Sequence, residues 1–78
     1  MDIRDLREGF HYRIQRDFAD FHHQQFTQGE LLTFVESHFL PYHGGHTVVF
    51  KEKTLYLQEE VNSGILGSLE QYLRLETE

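Results

Sequence analysis

The sequence predicts a mainly β domain, a small antiparallel barrel of four to five strands with a C-terminal helix packed on it. Three observations predict it. Apolar residues alternate with polar ones in several short runs before residue 60. Clusters of Gly, Pro, Asn and Asp punctuate those runs. After Asn62 the apolar spacing changes to a helical period. The 78 residues leave room for one domain, 1–78, with the barrel over 10–60 and the packing helix over 62–75.

Each element follows in order. Asp2 to Leu6 forms a helical turn, with Asp2 as cap and Gly9 ending it. His11 to Phe18 alternates, placing Tyr12, Ile14 and Phe18 on one face of a half-buried strand and His11, Arg13, Gln15 and Asp17 on the other. Ala19 to Gln28 is polar apart from Phe21 and Phe26 and reads as a long loop pinned by those two rings. Gly29 marks a sharp turn into a strand over Glu30–Ser37. Leu32 and Phe34 point one way there, and Leu31, Thr33 and Val35 the other, so the strand is expected to be central.

Pro41 and the Gly44-Gly45 pair predict a structured turn, with Phe39 and Leu40 plugging one end of the barrel. Residues 46–51 and 54–59 make the clearest hairpin. A turn centred on Glu52-Lys53 sets Phe50 opposite Leu55 and Val48 opposite Leu57 on one side, with Val49 opposite Tyr56 on the other. Val61, Ile65, Leu66, Leu69, Tyr72 and Leu73 then fall on one helical stripe, capped by Asn62 or Ser63 and weakened by Gly64 and Gly67.

Composition narrows the function classes. A chain this short buries only a little over ~60% of the surface its unfolded form exposes, so most of its apolar residues are committed to folding. Eleven aromatic residues, seven of them Phe, carry much of that burial. The absence of cysteine removes disulfides and thiolate metal sites. The charged N-terminal residues lack an apolar leader core, and no run approaches a membrane span, so the expected location is the cytoplasm, away from membranes. Thirteen acids outnumber seven bases, and the arginines at 4, 7, 13 and 16 are interleaved with acids. A nucleic-acid partner, which needs clustered positive charge, is not expected. Protonating all six histidines would bring the formal charge from −6 to about zero, placing the solubility minimum slightly above pH 5.

Two resemblances carry some of these residues. The strand, long loop, Gly29-Glu30 start of a second strand, second loop and tight hairpin resemble an SH3-like barrel over about residues 10–60. The aromatic groove that grips proline-rich ligands in that fold would lack its Trp, since the chain has none. The segment Phe39-Leu40-Pro41-Tyr42-His43-Gly44-Gly45-His46-Thr47, followed by Leu57-Gln58-Glu59 and preceded by Gly29 to Phe34, is similar to a small bacterial family of unknown function. That likeness implies a bacterial cytosolic domain and no particular activity.

The chemistry-bearing residues are few. Ser37, Ser63 and Ser68 sit in no nucleophile motif, Glu59 and Glu60 point to opposite faces of a strand end, and Gly44-Gly45 lacks the Lys and helix of a phosphate loop. Neither catalysis nor a cofactor is expected. His43 and His46 flank the Gly-Gly pair and could, with His38, and with His22, His23 or Glu36 completing the set, hold a metal ion. The favoured reading is a protein-interaction module that meets a partner protein, or a second copy of itself, through Tyr42, His43, His46 and Tyr56. The alternative is a metal- or small-ligand-binding domain built on the loop histidines.

Overall fold

The computed structural model describes residues 1–78. Asp2 caps a 3-10 turn over Ile3–Asp5 in a reciprocal capping box with Asp5. Seven strands follow: β1 (His11–Ile14), β2 (Phe18–Ala19), β3 (Gln25–Phe26), β4 (Leu31–Leu40), β5 (Gly45–Phe50), β6 (Thr54–Gln58) and β7 (Leu73–Thr77). Five of them form an antiparallel sheet in the order β6-β5-β4-β1-β7, and β2 and β3 form a separate two-stranded hairpin. The first strand, expected to run from His11 to Phe18, ends at Ile14, because Phe18 is drawn off to pair with Phe26 in β2 and β3 at the two ends of the long loop expected over Ala19–Gln28. Phe18 stacks on Phe26 across them, ring centres 4.9 Å apart.

The sheet is not a closed barrel, since β6 and β7 remain its two edges. β4 joins its halves. Leu31–Thr33 pair with β1, and Phe34–Leu40 pair with β5 across a bulge between Phe34 and Glu36. A bulge bends and twists its strand, so both halves face one core. Into that core point Tyr12, Ile14, Leu32, Phe34, Val48, Phe50, Leu55 and Leu57, joined by Phe18, Phe26, Ile3, Leu6, Leu69 and Leu73. The inward faces expected from alternation are the observed ones, and β4 is the central strand.

Two further expectations are corrected. In the β5–β6 hairpin the register lies two residues from the expected one: Val48 faces Leu55, Thr47 faces Tyr56 and His46 faces Leu57. A two-residue shift preserves the faces. The turn closes earlier because the Phe50 N–H donates to the Lys53 carbonyl (3.0 Å) and the Lys51 N–H to the Thr33 carbonyl (2.9 Å). Glu52 meanwhile folds back onto the Thr33 N–H (2.7 Å). The packing helix over 62–75 is also not formed as one piece. Only α1 (Ser63–Leu66) and a 3-10 turn at Leu69–Gln71 are helical, and the chain then enters β7 against β1. β1 would otherwise expose a row of unpaired backbone groups, and filling that ladder outweighs a helix already weakened by Gly64 and Gly67.

The β6 edge is sealed by groups outside the sheet. The buried Asp20 carboxylate accepts the Tyr56 N–H at 3.1 Å, and the Phe21 N–H donates to the Tyr56 carbonyl at 2.8 Å. The Gln24 amide donates to the Thr54 carbonyl, while Asn62 serves both the N–H (2.9 Å) and the C=O (2.8 Å) of Gln58. Asp20 also accepts from the His22 and Gln24 N–H groups (3.0 and 2.9 Å), so one side chain both shapes the β2–β3 loop and docks it on β6.

Candidate functional site

The β4–β5 hairpin runs beyond β1, with β6 beside it as far as Gly45. Its last pair is Leu40 with Gly45, and Pro41–Gly44 form the tip. Gly44 takes a positive φ of 58°, its carbonyl accepts the Glu59 N–H at 2.9 Å, and the turn is thereby tied to the end of β6. Gly45 serves a different need. A Cβ there would meet the Tyr56 hydroxyl and lie 2.9 Å from the ring carbon that bears it, so the absent side chain is what lets Tyr56 lie across the strand.

Phe39 and Leu40 do not plug a barrel end. They are 49% and 51% exposed, because β4 has outrun β1 and an open sheet has no end to plug. Tyr42 at the tip is 96% exposed, and His43 beside it is also exposed. Three large apolar or aromatic side chains thus stand in water within four residues.

The four residues expected to form one site are divided between two faces. His46 shares the inward parity of Val48 and Phe50 but lies at the rim, where its ring leans on Phe39 (centres 4.7 Å apart) and its Nε2 lies 3.4 Å from a Glu59 carboxylate oxygen. Tyr56 occupies the opposite face of the hairpin, stacked on His22 at 4.9 Å with Phe21 edge-on at 5.6 Å. Tyr42 and His43 stand exposed in the tip.

A groove of about 660 Å³ opens on the His46 side. Its walls are Asp2, Ile3 and Arg4 of the N-terminal turn, Ser37 to Phe39 of β4, His46, Glu59, and Ser63, Leu66 and Gly67 around α1. A second hollow of about 540 Å³ lies on the Tyr56 side, bounded by Asp20, His22, Gln24, Thr47 and Thr54. The N-terminal wall and Phe21 had no signal in the sequence as site residues, and His22 was expected there only as a completing metal ligand. The capping pattern at Asp2 fixed a local turn without saying what that turn would face.

The histidines do not converge. His38 lies 3.4 Å from Glu36, His46 beside Glu59, His22 on Tyr56, and His11 donates or accepts at the Thr33 hydroxyl, 3.0 Å away. No three His, Asp or Glu side chains are gathered to hold a metal ion, which separates His38, His43 and His46 as a ligand set. His11, Thr33 and Glu52 do form a chain, with the Thr33 hydroxyl donating to Glu52 at 3.1 Å. Burial of Glu52 would raise its pKa. The hydrogen bonds from the Thr33 backbone, from its own N–H and from the Thr33 hydroxyl outweigh that and hold it below the ordinary carboxylate value of 4.5.

No protein-family model matches this chain, and no curated protein does. Among solved structures, an integron cassette protein from the mobile metagenome of Vibrio cholerae shares the fold, with a TM-score of 0.86 and 23% identity over 94% of this chain and 91% of that one. No helix is long and apolar enough to cross a membrane.

Proposed function

We propose that this chain is a protein-interaction module without catalytic activity, acting through the β4–β5 hairpin tip and the groove beside it. One observation carries the reading: Phe39, Leu40 and Tyr42 are exposed together in a domain short of apolar residues for its own core. Phe39 links tip and groove, since its outer surface belongs to the exposed cluster and its ring packs on His46 at the groove wall. An apolar side chain of a partner would insert against Phe39 and Leu66, with Glu59, Asp2, Arg4 and His38 as a polar rim. The interleaving of acids and arginines favours a protein over a nucleic acid as that partner.

The strand order, with the β2–β3 hairpin inserted between β1 and β4, supports placing the domain among SH3-like folds left open at the edges. The likeness of the Phe39–Thr47 loop to a small bacterial family of unknown function, and the integron cassette neighbour, support a bacterial protein, for which we propose a cytoplasmic location.

The test is a photo-crosslinking residue at Tyr42 in the native cell, followed by mass spectrometry. A discrete protein adduct that disappears on Phe39→Ser, in a chain whose unfolding is unchanged, is the expected result. Adducts indifferent to Phe39→Ser would end the proposal.

The groove volume favours a second reading, in which it takes a small ligand. A fragment screen by amide chemical shifts would then give hits clustered at His46, Glu59 and Leu66. Hits scattered over the surface would rule it out.

A further inference from the structure

The two edges of the sheet are treated differently, and the difference points to a partner. Every outward group of Tyr56 and Gln58 on β6 is occupied, as is the Thr54 carbonyl. β7 has no such cover. Its pairing with β1 fixes which of its groups face out. The Phe10 carbonyl accepts the Phe34 N–H, Ile14 bonds to Glu30 and Gly29 on the β4 side, and the Gln15 N–H donates to the Tyr72 carbonyl at 2.8 Å. Antiparallel ladders alternate, so Arg74 bonds inward to Arg13, while Leu73 and Leu75 direct their N–H and C=O away from the sheet. The Leu73 carbonyl meets only the distant Gln15 amide (3.4 Å), and the Leu75 groups meet nothing in the chain.

The side chains on this edge are self-complementary. Arg74 and Glu76 flank Leu75 on one face, 2.9 Å apart. Leu75 itself, 45% exposed, lies on the other face in the parity of the buried Leu73. A two-fold axis through Leu75 would place each Arg74 opposite the other copy's Glu76 and join the two leucines beneath. The edge holds no Lys or Pro, two of the devices that ordinarily block strand addition. We propose that two copies of this chain pair antiparallel along β7 about Leu75, merging two five-stranded sheets into one of ten strands. Such an interface is isologous and small, so the dimer is a reversible one at high concentration. It leaves the β4–β5 tip free and stands or falls apart from the function proposed above.

Sedimentation of the full chain from micromolar to millimolar concentration should show reversible passage from 9.3 kDa to twice that mass. Arg74→Glu and Glu76→Arg each set like charges across the axis and should weaken self-association about tenfold or more. Mixed together, the two variants restore both opposite-charge pairs and should form a heterodimer, an outcome a merely misfolded variant would not give. Leu75→Pro removes the outward N–H and the leucine at the axis without touching an inward ladder bond, and should abolish the dimer while circular dichroism stays that of the wild type. A wild-type chain that stays monomeric to millimolar concentration, or variants that fail to associate when mixed, would overturn the proposal.

Discussion

Removing the Asp20 carboxylate should unseat the β2–β3 loop and open the β6 edge in one step. Three backbone N–H groups aim at it: those of His22 and Gln24 at one oxygen (3.0 and 2.9 Å) and that of Tyr56 at the other (3.1 Å). Asp20 is only 4% exposed, so the donors are poorly placed to find water in its absence. Hydrogen bonds to a charged group contribute about 1.5–3 kcal/mol each. Sharing of one carboxylate, and water entry through the neighbouring hollow, reduce the sum. Asp20→Ala should therefore lose about 3–4 kcal/mol, a large part of the ~4–12 kcal/mol expected for a domain this size. The melting temperature would fall by about 12–30 °C. Asp20→Asn keeps one oxygen for His22 and Gln24 but turns an N–H₂ toward Tyr56, and should lose about 1–2 kcal/mol. Urea unfolding followed by tyrosine fluorescence measures both, and hydrogen exchange should show the Tyr56 amide losing protection in each. An Asp20→Ala chain within about 1 kcal/mol of the wild type would refute the clamp.

Other consequences are independent of that clamp. Glu52→Gln should destabilise the chain by roughly 1 kcal/mol at pH 7 through weaker acceptance from Thr33. Because the folded pKa of Glu52 lies below 4.5, its stabilisation is complete above that value and is lost as the pH falls through the folded one. The stability difference between Glu52→Gln and wild type should therefore vanish in acid; a gap that persists there would show that charge is not what the variant removes. Asp2, Glu70 and Glu76 are shifted the same way, Asp2 first by the Arg4 backbone N–H, Glu70 first by its own N–H and then the terminal amine, and Glu76 first by Arg74. The whole chain should lose stability on the acid side. Gly45→Ala would force Tyr56 off His22 and Phe21, losing about 1–2 kcal/mol, and Tyr56→Ala in the same chain should recover part of it; a neutral Gly45→Ala would mean the ring is not held there. Deleting 62–78 strips β7 from β1 and removes the fully buried Leu69 and Leu73, so the fragment should aggregate; a well-dispersed NMR spectrum from 1–61 would contradict this.

What could be read from the sequence was parity, and what could not was termination. Tyr12, Ile14, Leu32, Phe34, Val48, Phe50, Leu55 and Leu57 are inward because a strand repeats every two residues, a local property. The β5–β6 register escaped because it depends on where the turn closes, and Glu52 is recruited there by Thr33, nineteen residues away. Lys53 is drawn off the turn in the same manner, its ammonium 3.2 Å from Glu30 and 4.2 Å from the centre of the Phe26 ring.

The C-terminal segment shows the same conflict between local signal and distant demand. The spacing of Val61, Ile65, Leu66, Leu69 and Tyr72 satisfies a helical period, yet Leu73-Arg74-Leu75-Glu76-Thr77 also satisfies a strand period. Two glycines lower the first option and the vacant ladder of β1 raises the second, so the segment turns helically just long enough to seat Leu69 and then extends. Once it extends, Arg74 stands directly opposite Arg13, a repulsive pair that an isolated strand would avoid. Glu76 sits within 3.4 Å of Arg13 and 2.9 Å of Arg74 and neutralises both. The bulge between His11 and Tyr12 places that carboxylate where one acid can reach two guanidinium groups. The candidate site was harder still to read, because exposure of Phe39, Leu40 and Tyr42 follows from how far β4 outruns β1, and no local pattern encodes the length of a neighbour.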